Sequence, residues 1–188
     1  MKHGCHTGRL GEWLSQKFRD TPYLQYYQLY YDHGVSSSPN VAAIKGFFGE
    51  RVSNKNRLAD IDLLIASHDG EAILLVEIEE RISEPKKILG DVFALLMCNR
   101  ISIGKGKQQY FSISSDTQLL IAGVVKDKGQ KLAKIEQIIE PRLRQFTTPS
   151  GGIPIQNVNF LFKPDNPTMV AALREHILDF LAQSNKSA

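Results

Sequence analysis

The chain has 188 residues, of which 42% are hydrophobic and 23% are charged, and its formal net charge is +3. This composition is typical of one globular domain, here residues 1–188, and it excludes a disordered or fibrous chain. No apolar run reaches membrane-spanning length, no secretory signal opens the chain, and two cysteines provide no disulfide framework. We therefore expect a cytoplasmic protein that binds no membrane.

The N-terminal segment contains metal-binding residue types, an amphipathic pattern and a run of tyrosines. His3, Cys5 and His6 lie so close together at a terminus that we interpret them as a frayed end rather than a metal site. Apolar residues at helical spacing predict a helix over residues 9–18. Tyrosines then recur at helical spacing within residues 23–31, and we expect them to pack in the core or at a dimer interface rather than against bases.

The strongest local signal is a β-hairpin. A first strand is predicted over residues 41–52, and two more, over residues 60–66 and 72–79, flank a Ser-His-Asp-Gly turn. The dipeptide Asp69-Gly70 between apolar strands predicts a two-residue type I′ turn, in which both central residues have positive φ.

Four carboxylates fall at the open end of this hairpin. Counting outward from the turn places Asp62 opposite Glu77 and Asp60 opposite Glu79, and side-chain alternation places all four on one face. Apolar residues are divided by the same alternation: the carboxylate face also carries Leu64, Ile73 and Leu75, and the other face carries Ile61, Leu63, Ile65, Leu74, Val76 and Ile78. Like charges at cross-strand distance are destabilising, and burial increases the cost unless a proton or a cation compensates. Since hard divalent cations prefer oxygen ligands, we interpret Asp62 and Glu77 as metal ligands. The alternative is that the strand ends emerge into solvent.

The remainder of the chain adds a buried helix and a basic half. Ser83 and Pro85 predict the start of a helix that runs to about residue 98, with Lys86 and Lys87 in its first turn. Further elements are predicted as strands over residues 110–114, 119–125 and 158–162, and as helices over residues 128–145 and after a cap at Asn166. Residues 101–188 hold 11 basic and 7 acidic side chains, against 12 and 13 in residues 1–100. This asymmetry suits a polyanionic partner, and the candidate contacts are Lys105, Lys107, Lys128, Lys131 and Lys134.

The order of helix, three strands, helix and strand, with carboxylates on the second and third strands, resembles the PD-(D/E)XK nuclease superfamily. The carrying residues are Asp62 in ADIDLLIA and Glu77-Ile78-Glu79 in LLVEIEE, and the resemblance covers residues 9–126. It implies an α/β, restriction-endonuclease-like fold, in which helices flank a central mixed β-sheet. The expected core is αβββαβ, with extra C-terminal helices.

The resemblance also implies a Mg²⁺-dependent phosphodiester hydrolase acting on DNA, in which Mn²⁺ can replace Mg²⁺. In this family the Asp and the first acidic residue of the motif bind the metal, which assigns that role to Asp62 and Glu77. An additional glutamate of the family is matched by Glu12, with Glu50 as the alternative. A homodimer is implied by analogy, because cutting both strands of a duplex usually takes two active sites.

One motif position departs from the family pattern. The third position is usually Lys, and here it is Glu79. In other members the lysine lies on the next helix, where this chain has Lys86 and Lys87, so Lys86 is a candidate catalytic residue together with Glu79. Asp60 is the alternative to Asp62 if the register of the hairpin slips.

Two alternatives to the nuclease follow from the same residues. Because Glu79 stands in place of Lys, the fold can serve as a catalytically inactive module that binds nucleic acid or mediates assembly. A glycosidase carboxylate pair is disfavoured, since cross-strand neighbours are too close for inverting geometry.

Overall fold

A computed structural model describes residues 4–35, 37–49, 51–80, 82, 85–104, 109–125, 137, 141, 154–155 and 157–185. Its helices are α1 (Cys5–Asp20), a 3-10 helix (Pro22–Tyr26), α2 (Pro85–Leu96) and α3 (Asn166–Ser184). Its strands are β1 (Tyr27–Tyr31), β2 (Ala43–Phe47), β3 (Arg57–Ile61), β4 (Leu63–Ser67), β5 (Ala72–Glu79), β6 (Arg100–Gly104), β7 (Gln109–Ser112), β8 (Gln118–Val124) and β9 (Asn157–Lys163).

The strands form two sheets rather than the one that the sequence predicts. The first has the order β1-β4-β5-β8-β9 and is mixed, since β1, β4 and β5 are antiparallel whereas β5, β8 and β9 are parallel. The second has the order β3-β2-β6-β7 and is antiparallel. The predicted α/β class is therefore confirmed, but the αβββαβ order omits β1 and places strands of both sheets in one.

The central hairpin of β4 and β5 has the predicted register but a different turn. Leu63 pairs with Val76, so the register extends to Asp62 opposite Glu77. The predicted type I′ turn is wrong, because among the described residues only glycines have positive φ. Three residues close the turn, with Gly70 at φ +88° and the Gly70 amide donating to the Ser67 carbonyl. A bulge in β5 absorbs the extra residue, since the pairing shifts from Ile65–Leu74 to Ala66–Ala72.

The predicted second strand is broken at Asp62. Residues before the break, in β3, pair with β2 in the second sheet, and residues after it, in β4, pair with β5 in the first. Asp60 is therefore paired with Lys45 rather than placed opposite Glu79, which corrects the predicted hairpin partner. Asp60 also forms an ion pair with Arg57. Asp62 thus lies at the bend where the chain passes from one sheet to the other.

Two apolar clusters cover the two faces of the first sheet. One contains α1 and α3, and the other contains α2 and the second sheet. Alternation assigns the faces correctly at the centre of the hairpin, because Leu63 and Leu74 lie in the first cluster whereas Leu64 and Leu75 lie in the second. All four side chains are fully buried, and each such burial contributes about 1.5–3 kcal/mol. The carboxylate end of the hairpin, with Asp62 and Glu77, therefore lies on the face of the first sheet that α2 covers.

Several element boundaries differ from those predicted. The tyrosines at helical spacing form a 3-10 turn and the edge strand β1, which pairs with β4. Tyr31 is buried in the core as expected, whereas Tyr26 is exposed. The first helix begins at Cys5 instead of residue 9, and β2 is shorter than the predicted strand. The cap of α3 is Asp165, whose carboxylate accepts the Thr168 amide at 2.8 Å, rather than Asn166.

Other predictions fall outside the described residues or agree with the structure. Strands β7, β8 and β9 lie close to their predicted ranges. The helix over 128–145 and the cap at Ser83 belong to segments that the structure does not describe, apart from single residues. None of the described helices combines the length and apolar character needed to cross a membrane.

Candidate metal centre

Asp62 is fixed at the bend between the two sheets by backbone hydrogen bonds. Its Oδ2 accepts the Ile78 amide at 2.8 Å, and its carbonyl oxygen accepts the Asp32 amide at 2.9 Å. The first bond ties the carboxylate to β5, one residue beyond Glu77. The side chain is only 15% exposed. The bend therefore holds a carboxylate in a largely buried position beside the end of the hairpin.

A second set of carboxylates lies beside it, between β5 and α2. Glu77 and Glu79 project from the same face of β5 because they are two residues apart. Asp91 reaches them from α2, and one oxygen of each of the three residues lies within 4.8 Å of the others. Together with Lys87 and Asp60, they line a cavity of about 300 Å³.

Burial and mutual repulsion raise the proton affinity of Asp62, Glu77 and Asp91. Burial raises the pKa of Asp62 to about 6, against the opposing effect of the Ile78 amide. Burial, followed by the charge of Asp62, raises the pKa of Glu77 well above its ordinary value. The pKa of Asp91 is also raised, by burial and then by the charge of Glu79. These carboxylates are therefore unfavourable as bare anions and need a proton or a cation.

Two oxygen atoms in the cluster lack a hydrogen-bond partner among the described residues. They are Oε2 of Glu77 and Oδ2 of Asp91, and both are buried. A buried carboxylate oxygen without a partner retains its full desolvation cost. Carboxylate oxygens are the preferred ligands of Mg²⁺, so the donor set fits a hard divalent cation.

Lys87 supplies a positive charge at the rim of the cavity. Its ammonium Nζ donates to Glu79 Oε1 at 2.5 Å, and the Lys87 side chain is 55% exposed. This contact, together with the charges of the other carboxylates, raises the pKa of Lys87, so the ammonium stays protonated. Lys87, rather than Lys86, is the lysine that the structure brings to the carboxylates.

A third acidic group includes a histidine that sequence reasoning missed. His33 follows β1, and its Nδ1 lies 3.6 Å from Asp32 Oδ2 and 4.0 Å from Asp62 Oδ1. Asp32, His33 and Asp62 also offer ligand atoms within 4.8 Å of one another. Asp62 therefore interacts electrostatically both with His33 in this group and with Glu77 in the neighbouring cluster.

The other predicted site residues are placed apart from this cavity. Glu12 is exposed on α1, and Lys86 is exposed in the first turn of α2; neither lines the cavity. Asp62 does not line the cavity either, and its ligand atoms group with those of Asp32 and His33 rather than with that of Glu77. That Asp62 and Glu77 bind one ion therefore stays a prediction. The residues Glu50, Lys105, Lys107, Lys128, Lys131 and Lys134 lie outside the described residues. Their predicted roles stay predictions.

Asp91 was missed because it is one polar residue within an otherwise apolar helix. The sequence ILGDVFALL predicts a mostly buried helix, in which a single aspartate reads as an exposed position. Asp91 follows Lys87 by four residues, which places both side chains on one face of the helix. This spacing is the feature of the sequence from which Asp91 could have been predicted to lie at the site. Asp32 and His33 offered none, since only the tertiary fold brings them to Asp62.

Comparison with protein-family models, with curated proteins and with solved structures finds no match to this chain.

Proposed function

We propose that this chain is a metal-dependent phosphodiester hydrolase that acts on DNA, with Mg²⁺ as its cation and Mn²⁺ as a substitute. The observation that carries the proposal is the buried, unpartnered Oε2 of Glu77 in a cavity shared with Glu79 and Asp91. Burial raises the pKa of Glu77 and of Asp91. A divalent cation is one way to compensate the charge of these two carboxylates. The resemblance of the hairpin motif to PD-(D/E)XK nucleases supplies the substrate class.

The residues of the site would have three roles: binding the cation, orienting the attacking water and compensating negative charge on the phosphate. Glu77 and Asp91 would bind the cation through Oε2 and Oδ2. The Asp62 carboxylate, at the neighbouring strand end, would add a further negative charge that favours cation binding. A bound divalent cation lowers the pKa of a water molecule and compensates charge on the phosphate. Glu79, oriented by Lys87, would accept a hydrogen bond from the attacking water. The exposed Lys87 ammonium lies at the rim, where it can stabilise negative charge on the phosphate.

The test combines metal binding with cleavage. Isothermal titration of Mg²⁺ and Mn²⁺ into the wild type should give heat that Asp62→Ala/Glu77→Ala abolishes. The matched control is Asp69→Ala/Glu71→Ala, which removes two carboxylates from the turn end of the same hairpin and should leave the heat unchanged. Cleavage of single-stranded, duplex and branched DNA should be lost in the first double variant alone. Cleavage that persists in Asp62→Ala/Glu77→Ala would refute the proposal.

One observation favours a second candidate, an inactive nucleic-acid-binding module. Glu79 stands where the family usually has Lys, and Lys87 already provides Glu79 with a cation. Such a module would bind DNA with salt-dependent affinity but without turnover. Anisotropy of labelled DNA, with charge reversal at Lys105, Lys107 and Lys128, tests this binding. Affinity that does not respond to charge reversal would count against the second candidate.

A further inference from the structure

A separate group of side chains with different chemistry lies where the first turn of α1 meets the end of β5. Cys5 offers a sulfur atom, His6 a ring nitrogen and Glu80 a carboxylate oxygen, all within 4.8 Å of one another. The contact is secured by the His6 amide, which donates to Glu80 Oε1 at 3.0 Å. Because 74 positions of sequence separate these two residues, the fold itself assembles this group.

The His6 side chain indicates that the group is more than a helix cap. Its side chain is buried, with the residue 7% exposed, and its Nε2 has no hydrogen-bond partner among the described residues. A buried imidazole without a partner is costly. Capping of α1 by Glu80 explains the backbone contact, but it explains neither the buried ring nor the adjacent thiol. Cys5 is a free cysteine and is partly exposed.

We propose that Cys5, His6 and Glu80 bind a zinc-class transition-metal ion. Thiolate, imidazole and carboxylate are the ligand types that Zn²⁺ takes in proteins, with a water molecule in the fourth position when three ligands are protein side chains. The all-oxygen cluster of Glu77 suits a hard cation instead, so the two sites select different ions. Binding requires the Cys5 thiolate and releases its proton to the solvent.

The position of this site gives it a structural role. It would connect the first turn of α1 to the residue that follows Glu79, and so fix the helix against the strand that carries the carboxylates. An ion that binds only the folded state stabilises that state by mass action. The proposal does not rest on the hydrolase activity, because its ligands and its ion are different.

Cobalt substitution tests the site with a signal that only ligation produces. Co²⁺ added to the full-length, untagged chain, in the presence of a reductant that does not bind metals and excess Mg²⁺, should give a thiolate-to-cobalt charge-transfer band and intense visible bands of tetrahedral Co²⁺. Cys5→Ser should abolish the charge-transfer band, and His6→Asn should abolish the visible bands. Cys98→Ser and His68→Asn are matched controls, a second thiol and a second imidazole, and should retain the full spectrum.

Glu80→Gln separates ligation from capping. The amide oxygen of glutamine can still accept the His6 amide, so the helix cap persists while the anionic ligand is lost. We expect this variant to keep its far-UV circular dichroism and to lose the tetrahedral cobalt spectrum. Zn²⁺ should raise the melting temperature of the wild type and leave that of Glu80→Gln unchanged.

The outcomes that overturn the proposal are distinct from those that overturn the hydrolase. Absence of a charge-transfer band in the wild type, or a band that survives in Cys5→Ser, refutes the zinc-class site. A Glu77→Gln/Asp91→Asn variant should lose the heat of Mg²⁺ binding and keep the cobalt spectrum. The two sites can therefore fail independently.

Discussion

The buried charge of Asp62 should make the metal-free protein less stable at neutral pH than at acidic pH. Burial raises the pKa of this carboxyl from 3.8 to about 6 in the folded state. The folded state therefore binds more protons than the unfolded state between these values, so the free energy of unfolding falls as the pH rises through this window. A tenfold change in proton affinity corresponds to about 1.4 kcal/mol, so the ionised carboxylate costs the folded state about 3 kcal/mol above pH 6.

The substitution Asp62→Asn should remove that cost. The amide oxygen of asparagine can still accept the Ile78 amide, so the bend is retained while the charge is lost. In EDTA at about pH 7.5 we expect the variant to be more stable than the wild type by up to about 3 kcal/mol, and below about pH 4 we expect the difference to vanish. Urea unfolding at a series of pH values, followed by circular dichroism, measures both quantities.

The control is Asp60→Asn, which neutralises a neighbouring carboxylate in a different environment. That side chain is 59% exposed and paired with Arg57, so its removal relieves no burial cost and should lower stability by at most about 1 kcal/mol. Parallel stability curves for the wild type and Asp62→Asn across the pH range would show that the Asp62 charge is not buried at a cost. The prediction would then be wrong, and with it the contribution of Asp62 to the argument for a compensating cation.

Three further substitutions test the turn, the helix cap and the choice of lysine. Gly70→Ala should cost about 1 kcal/mol in urea unfolding, because φ of +88° strains any residue with a Cβ; an unchanged midpoint would refute the turn assignment. Asp165→Ala should also cost about 1 kcal/mol through loss of the cap at Thr168, and recovery in Asp165→Asn is the control. Lys87→Ala should reduce DNA cleavage, whereas Lys86→Ala, one residue earlier and outside the cavity, should not; equal loss in both variants would indicate a general effect of charge.

Alternation along a strand predicted the faces of the hairpin wherever the strand is regular. It failed at Ile61, which lies in the cluster with α2 because the chain bends at Asp62, and at Ile73, which the bulge turns toward α1 and α3. Both failures arise from local backbone irregularities that a period of two cannot encode. The helical spacing of the tyrosines does not correspond to a helix, since they lie on the 3-10 turn and on β1.

The part of the site that could be predicted from the sequence is the part formed by residues close together in the chain. Asp62 and Glu77 come together through hairpin register alone, and that register is set by the turn and the bulge together. Asp91 and His33 reach the carboxylates through the packing of α2 and the path of β1, which follow from tertiary structure. A sequence pattern therefore identified the centre of the acidic group but not its full set of side chains.

The position of Lys87 bears on whether the cluster still needs a divalent cation. Lys87 is exposed and contacts Glu79, whereas Glu77 Oε2 and Asp91 Oδ2 are buried and have no hydrogen-bond partner in the described part of the chain. A lysine side chain that is 55% exposed neutralises one carboxylate and leaves the buried pair uncompensated. An ion of small radius can be shared by all three carboxylates at once, whereas an ammonium on a long side chain binds chiefly one. This difference supports the proposed metal centre over a site in which Lys87 has replaced the cation.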